Sequence, residues 1–279
     1  MSIRPVQQAR LRALVVPREH GAWGLLLIPL FTGAAVGLAS AQRAWPLALF
    51  AIAALTLFWL RTPVESLLGT TPLTAQTSSE RRTSILVSAG LGAAAAGCFA
   101  ALLWNGRNRG LLLLGGISLF AFVVQTLLMK SGRKLRMTAQ LLGAIGLTCT
   151  GPAAYYVTTG RLDTHAWILW AANFIFAGNQ IHFVQLRIHA ARAATAGEKF
   201  GRGPVFFLGQ ILLLPVLGAA AYWRLMPALV LLAFVPGLIR GFYWLFGGYQ
   251  PLQVRSLGWS EMRQGVLFGI LLATAMILS

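Results

Sequence analysis

The feature that most constrains this chain is a run of mostly apolar residues, long enough to cross a bilayer, that returns along almost its whole length. A membrane-crossing helix needs roughly 20 such residues. Candidate stretches lie at 21–39, 44–64, 83–104, 109–130, 138–158, 164–187, 204–222, 225–246 and 263–279. Lipid offers no hydrogen bonds to a bare backbone, so each run reads as a helix that satisfies its own peptide groups. The expected fold is therefore all-α: a polytopic membrane helical bundle of about nine transmembrane helices. Charged residues make up only 10% of the chain, against about 25% in soluble domains, which excludes an ordinary globular protein. The expected organisation is an N-terminal segment, 1–20, followed by one transmembrane domain, 21–279.

A formal charge of +17 would point to nucleic acid in a soluble protein. Here its distribution gives another cause. Nine spans place the N-terminus and the longer loops on one side, where eighteen of the 23 Lys and Arg fall; Arg43, Arg107, Arg109, Arg161 and Arg224 fall on the other. Loops that stay in the cytoplasm collect Lys and Arg. The expectation is a multi-pass protein of the inner (cytoplasmic) membrane, N-terminus in the cytoplasm and C-terminus outside, with membrane lipids and no nucleic acid as partners. Cys98 and Cys149 lie inside different apolar runs with no CxxC spacing and read as small core residues.

Polar groups converge at three places on the basic side. Before the first span stand Arg18, Glu19 and His20, with Trp23 just beyond. At the end of the second, "FWLRTPVESLLG" sets Arg61 and Glu65 four apart, on one face if the helix continues through Pro63. The sixth, "NFIFAGNQIHFVQLRIHAARAA", carries Asn179, His182, Gln185, His189 and Arg192 on one helical face, with Gln180 and Arg187 opposite. Polar groups at this depth are costly and normally face a bundle interior, a partner or water. The plainer alternatives are an interfacial ion pair at a helix stop, and a helix that leaves the membrane and becomes solvated. The four histidines and six carboxylates show no metal-ligand spacing, and no cofactor is specified; magnesium would have to be assembled from very few oxygens.

"VPREHGAWGLLLIP" together with "LRTPVESLL" resembles the YwiC-like membrane protein family, whose members share an HGAW-type first helix. The layout is also similar, distantly, to the UbiA superfamily of intramembrane prenyltransferases, which have nine helices and carry their chemistry on cytoplasmic loops after the second and sixth. In those enzymes Asp-rich motifs hold magnesium on a prenyl diphosphate. The corresponding regions here, "RTPVESLLG" and "NQIHFVQLRIHAARAATAGEK", offer only Glu65 and the distal Glu198, so no catalytic Asp carries over. The resemblance implies a cytoplasm-facing cavity for an anionic isoprenoid or another amphiphile. Its headgroup would be held by Arg18, Glu19, Trp23, Arg61, Glu65, Asn179, Gln185, Arg187, His189 and Lys199 rather than by metal. His20 and His182 are the groups expected to move a proton if there is catalysis. A carrier or flippase for a small anion or lipid, and a non-catalytic membrane assembly partner, stand as rivals.

Overall fold

The computed structural model describes residues 3–17, 20–41, 43–70, 73–107, 109–131 and 135–279. Among them all regular structure is helical: α1 (Ile3–Val15), α2 (His20–Ala41), α3 (Ala44–Leu68), α4 (Ser78–Trp104), α5 (Arg109–Ser131), α6 (Arg136–Thr148), α7 (Thr150–Thr159), α8 (Thr164–His189), α9 (Ala196–Arg202), α10 (Pro204–Tyr222), α11 (Leu231–Phe246, entered through a 3₁₀ turn at Ala228–Val230) and α12 (Val254–Ile277). Every expected span has a helix, or the α6–α7 pair, at its place. Six are long and apolar enough to cross a membrane: α2, α3, α4, α5, α10 and the 228–246 segment. The chain is thus a multi-pass helical bundle.

Several boundaries move, each for a local reason. Helix α4 starts five residues before its apolar run, because Thr77 and Glu80 form a reciprocal capping box. Helix α3 does not stop at Pro63. It runs to Leu68 and ends at Gly69, whose φ of +70° suits a residue without a Cβ. Helix α12 begins at Val254, nine residues before the apolar run, with an exposed polar first turn. The N-terminal segment contains a helix, α1, that docks on the bundle: Arg10 bonds Glu80 of α4 at 2.6 Å, and the Trp59 indole donates to the Val15 carbonyl at 2.6 Å.

Helix association in lipid relies on close packing more than on water exclusion, and the α2–α7 seam shows it. A Cβ on Gly33 would sit 1.9 Å from the Gly151 carbonyl oxygen, and one on Gly37 would sit 2.0 Å from Thr158 Oγ1. Gly33 and Gly37 are four apart, the small-residue spacing that lets helices touch backbone to backbone. One partner of the seam is a continuous helix with a proline inside it, and the other is interrupted. Pro29 lies inside α2, and between α6 and α7 the ladder breaks at Cys149, just before Gly151 and Pro152. Hydroxyls add bonds to carbonyls around these points: Thr150 Oγ1 lies within donating distance of the Leu26 (3.1 Å) and Leu147 (2.7 Å) carbonyls, and Thr32 Oγ1 donates to Pro29 (2.9 Å). Asn173 of α8 reaches in to donate to Thr32 Oγ1 at 3.0 Å.

Around this seam the bundle divides. On one side α2, α3, α5, α6 and α7 surround a cavity of about 380 Å³. On the other, α8, α10, α11 and α12 close on aromatic contacts, among them Phe176 on Phe268 with ring centroids 3.9 Å apart.

Candidate functional site: an apolar cavity with one cation

The cavity is built by helices whose facing residues are small or apolar. Leu26 of α2, Phe50, Ala54 and Phe58 of α3, Leu111 and Leu114 of α5, Gly146 of α6 and Ala153 of α7 line it. Arg61 is the one charged residue among the described lining. Beyond Leu111 and Ala153 the bundle closes. The Tyr156 ring packs on Gly110, and Arg107 donates from Nε to the Val157 carbonyl at 3.2 Å. Phe50 and Val64 are fourteen residues apart on α3, so the lining extends about 21 Å at 1.5 Å per residue.

Arg61 is placed by the continuation of α3 through Pro63. Its Nε donates to Glu65 Oε1 at 2.7 Å, and both side chains are largely buried. Among the described residues its terminal amino groups make no further hydrogen bond. Of the other polar lining groups, Ser118 Oγ is used by the Leu114 and Gly146 carbonyls, and Thr150 by the two named above. Gln125 is different. It is buried, lines the cavity and makes no hydrogen bond among the described residues; Gly143 makes room for it, since a Cβ there would lie 2.5 Å from Gln125 Oε1. The sequence reading missed Gln125. Its signal was a lone amide inside "FAFVVQTLLM", a run apolar but for the neighbouring Thr126.

The remaining expected site residues divide into separate groups. Trp23 meets Phe58 edge-on at 4.7 Å and so backs the cavity wall. Gln185 turns toward α6, donating to Gln140 Oε1 at 3.1 Å, and His189 Nδ1 lies 2.7 Å from the Gln185 carbonyl. His182 is half-buried with no hydrogen-bond partner among the described residues, and Asn179 Oδ1 is buried without one. Arg187 faces the other way: Nη1 donates to Gln250 Oε1 at 3.1 Å, and the guanidinium lies 5.5 Å from the Trp244 ring centre. Lys199 is completely buried. Its ammonium spends its three donors on the carbonyls of Trp244, Gly247 and Gly248 at 2.9, 2.6 and 3.1 Å. Burial, reinforced by the charge of Arg187, holds that ammonium below the ordinary lysine range. No hydrogen bond or ring contact among the described residues joins the Arg61–Glu65 pair to the Arg187–Lys199 group. Arg18, Glu19 and the side chain of His20 lie outside the described residues.

The donor set does not suit magnesium. Each described carboxylate is already engaged: Glu65 by Arg61, Glu80 by Arg10, Glu261 by Arg240, while Glu198 and Asp163 cap helices. No group of three His, Cys, Asp or Glu occurs among the described residues. An anion entering this cavity would meet a guanidinium and an amide rather than a metal.

A model of the YwiC-like proteins matches residues 16–155. This chain belongs to that family. Every described residue lining the cavity falls inside the matched stretch, so the cavity belongs to the YwiC-like part of the molecule. No curated protein and no solved structure matches the chain.

Proposed function

We propose that this YwiC-like membrane protein binds an anionic isoprenoid or another single-chain amphiphile in the α2–α7 cavity, with the headgroup toward the cytoplasm. The observation that carries this reading is the polarity of the lining: apolar from Phe50 to Phe58, with one cation, Arg61, and one unpartnered amide, Gln125. Such a surface favours a ligand with an oil-like tail and an oxygen-rich anionic head. The basic side of the protein, where Arg61 lies, draws anionic headgroups toward the same end. The UbiA resemblance agrees with a prenyl ligand but supplies no metal-held diphosphate here, and catalysis, if any, rests on His182 or His20.

Thermal-shift and equilibrium binding with farnesyl and geranylgeranyl diphosphate, first with magnesium and then with EDTA, tests this. Stabilisation should survive EDTA and vanish in Arg61→Ala, while Arg187→Ala separates the two cationic groups. No stabilisation of the wild type in either condition overturns the reading. The break between α6 and α7 at Cys149, packed against the proline-bearing α2, favours a second reading, a carrier, because broken helices near the middle of a bundle are common in transporters. Uptake of the same ligand into proteoliposomes, lost when the seam is cross-linked, would put the carrier first.

A further inference from the structure

The α2–α7 cavity has a tail end and a head end. On α3 its lining runs from Phe50 to Val64 and on α5 from Leu111 to Gln125, fourteen residues on each, or about 21 Å. A volume of about 380 Å³ spread over that length leaves room for one hydrocarbon chain and not for the two of a bilayer lipid. Leu57 of α3 and Leu119 of α5 line the cavity and are also exposed on the outside of the bundle. It therefore opens sideways, where an amphiphile dissolved in the bilayer can enter.

The polar groups collect at one end. Arg61 lies one turn before the lining stops on α3, and Gln125 ends it on α5. With α4 crossing between them, α3 and α5 run the same way, which sets both groups at the same end. Gln125 is 9% exposed, and neither polar atom of its amide is sealed off from the space it lines. The amide lies flat on Gly143, with Oε1, Cδ and Nε2 at 2.5, 2.8 and 3.1 Å from where a Cβ would be. Arg61 gives its Nε to Glu65, which leaves the other edge of the guanidinium, its two terminal amino groups, facing no acceptor among the described residues.

This arrangement selects the charge of the head. Arg61 and Glu65 cancel, and no other charged residue is among the described lining. A diphosphate would bring several negative charges into an apolar site with no cation left to balance them. An uncharged alcohol would leave most of the guanidinium edge without an acceptor. A carboxylate brings one charge and two coplanar oxygens, the shape that a guanidinium edge meets with two parallel hydrogen bonds. Gln125 supplies a further N–H at the same end. We infer that the cavity ligand is a single-chain carboxylate. This rests on the amphiphile reading above and narrows it to one head chemistry.

The test holds the tail constant and varies the head: equilibrium binding of farnesoic acid, farnesol and farnesyl diphosphate to the full chain in lipid nanodiscs, with empty nanodiscs as the baseline. The acid should saturate at one per chain, and the alcohol and the diphosphate should bind at least about tenfold more weakly. Arg61→Lys keeps the charge but loses the fork, and should weaken the acid by about tenfold. Should that variant fail to assemble, Gly115→Phe, which puts a ring into the cavity where a Cβ meets nothing within 4 Å, must abolish binding instead. Palmitic acid should compete with farnesoic acid, and the tighter of the two identifies the tail as acyl or prenyl. Alcohol or diphosphate binding as tightly as the acid overturns the carboxylate assignment and leaves the amphiphile reading standing. Unchanged acid binding in the variant used also overturns it, and saturable binding of none of the three removes both.

Discussion

The two halves of this bundle solve the problem of polar groups in lipid in opposite ways. In α2–α7 they are few and mostly local, Thr and Ser hydroxyls returned to carbonyls of interrupted helices, and the space between helices is left hollow. In α8–α12 they are tied across long stretches of sequence: Arg240 to Glu261, Gln180 to the Glu261 carbonyl, Arg187 to Gln250, Lys199 to three carbonyls. Rings meet the cations here, with Arg240 4.2 Å from the centre of Phe183, and Arg187 and Lys199 5.5 and 5.2 Å from that of Trp244. The hollow half keeps a cavity of about 380 Å³ between its helices, whereas the knotted half ties its helices to one another. Family membership follows the hollow one.

The sharpest way to break the contrast is in the knotted half. Glu261→Ala leaves Arg240 buried without its carboxylate and should cost about 3–5 kcal/mol, read as loss of thermal stability in detergent. Replacing both with Leu should recover most of it; if the single and double variants melt alike, the pair is not what matters. Next, Gly33→Ala drives a methyl into the Gly151 backbone and should cost about 1–3 kcal/mol. A wild-type melting curve would mean that the α2–α7 seam is looser than described. Third, Arg61→Ala leaves the largely buried Glu65 carboxylate without its donor and should lower stability by about 1–3 kcal/mol, as well as remove anionic-ligand binding. Smallest is Gly115→Ala, at a cavity-lining position where a Cβ meets nothing within 4 Å. Better helix propensity should then raise stability by up to about 1 kcal/mol. Destabilisation there would show that the cavity is filled by protein.

How much of this was legible beforehand depended on the kind of signal. Span positions followed from apolar runs because lipid imposes a length on them. The Arg61–Glu65 contact followed from their spacing once α3 passed Pro63. Two helix starts are written in the sequence as "TSSE" and "TAGE", the Thr-x-x-Glu pattern of a capping box, but both lie outside the apolar runs that mark the spans. Gly33 and Gly37 likewise carried the signal for the tight seam. Other features were illegible in principle. That Gln180 and Arg187 would face α11 and α12 while Gln185 faced α6 depends on which helices flank α8, and periodicity gives faces without neighbours. Lys199 was expected at a headgroup; its carbonyl partners lie 45 to 49 residues later in sequence, and nothing local announces them.

That separation gives Lys199 two successive roles. It leaves the ribosome before Trp244, Gly247 and Gly248 exist, so while the chain is being inserted it is a bare, hydrated cation. In that state it adds to the positive charge of the loop after α8. Only after α11 has followed α10 into the membrane can the ammonium shed its water for the three carbonyls. The three bonds that close this end of the bundle therefore form last: they need the end of α11 beside α9, and until it arrives the lysine stays solvated.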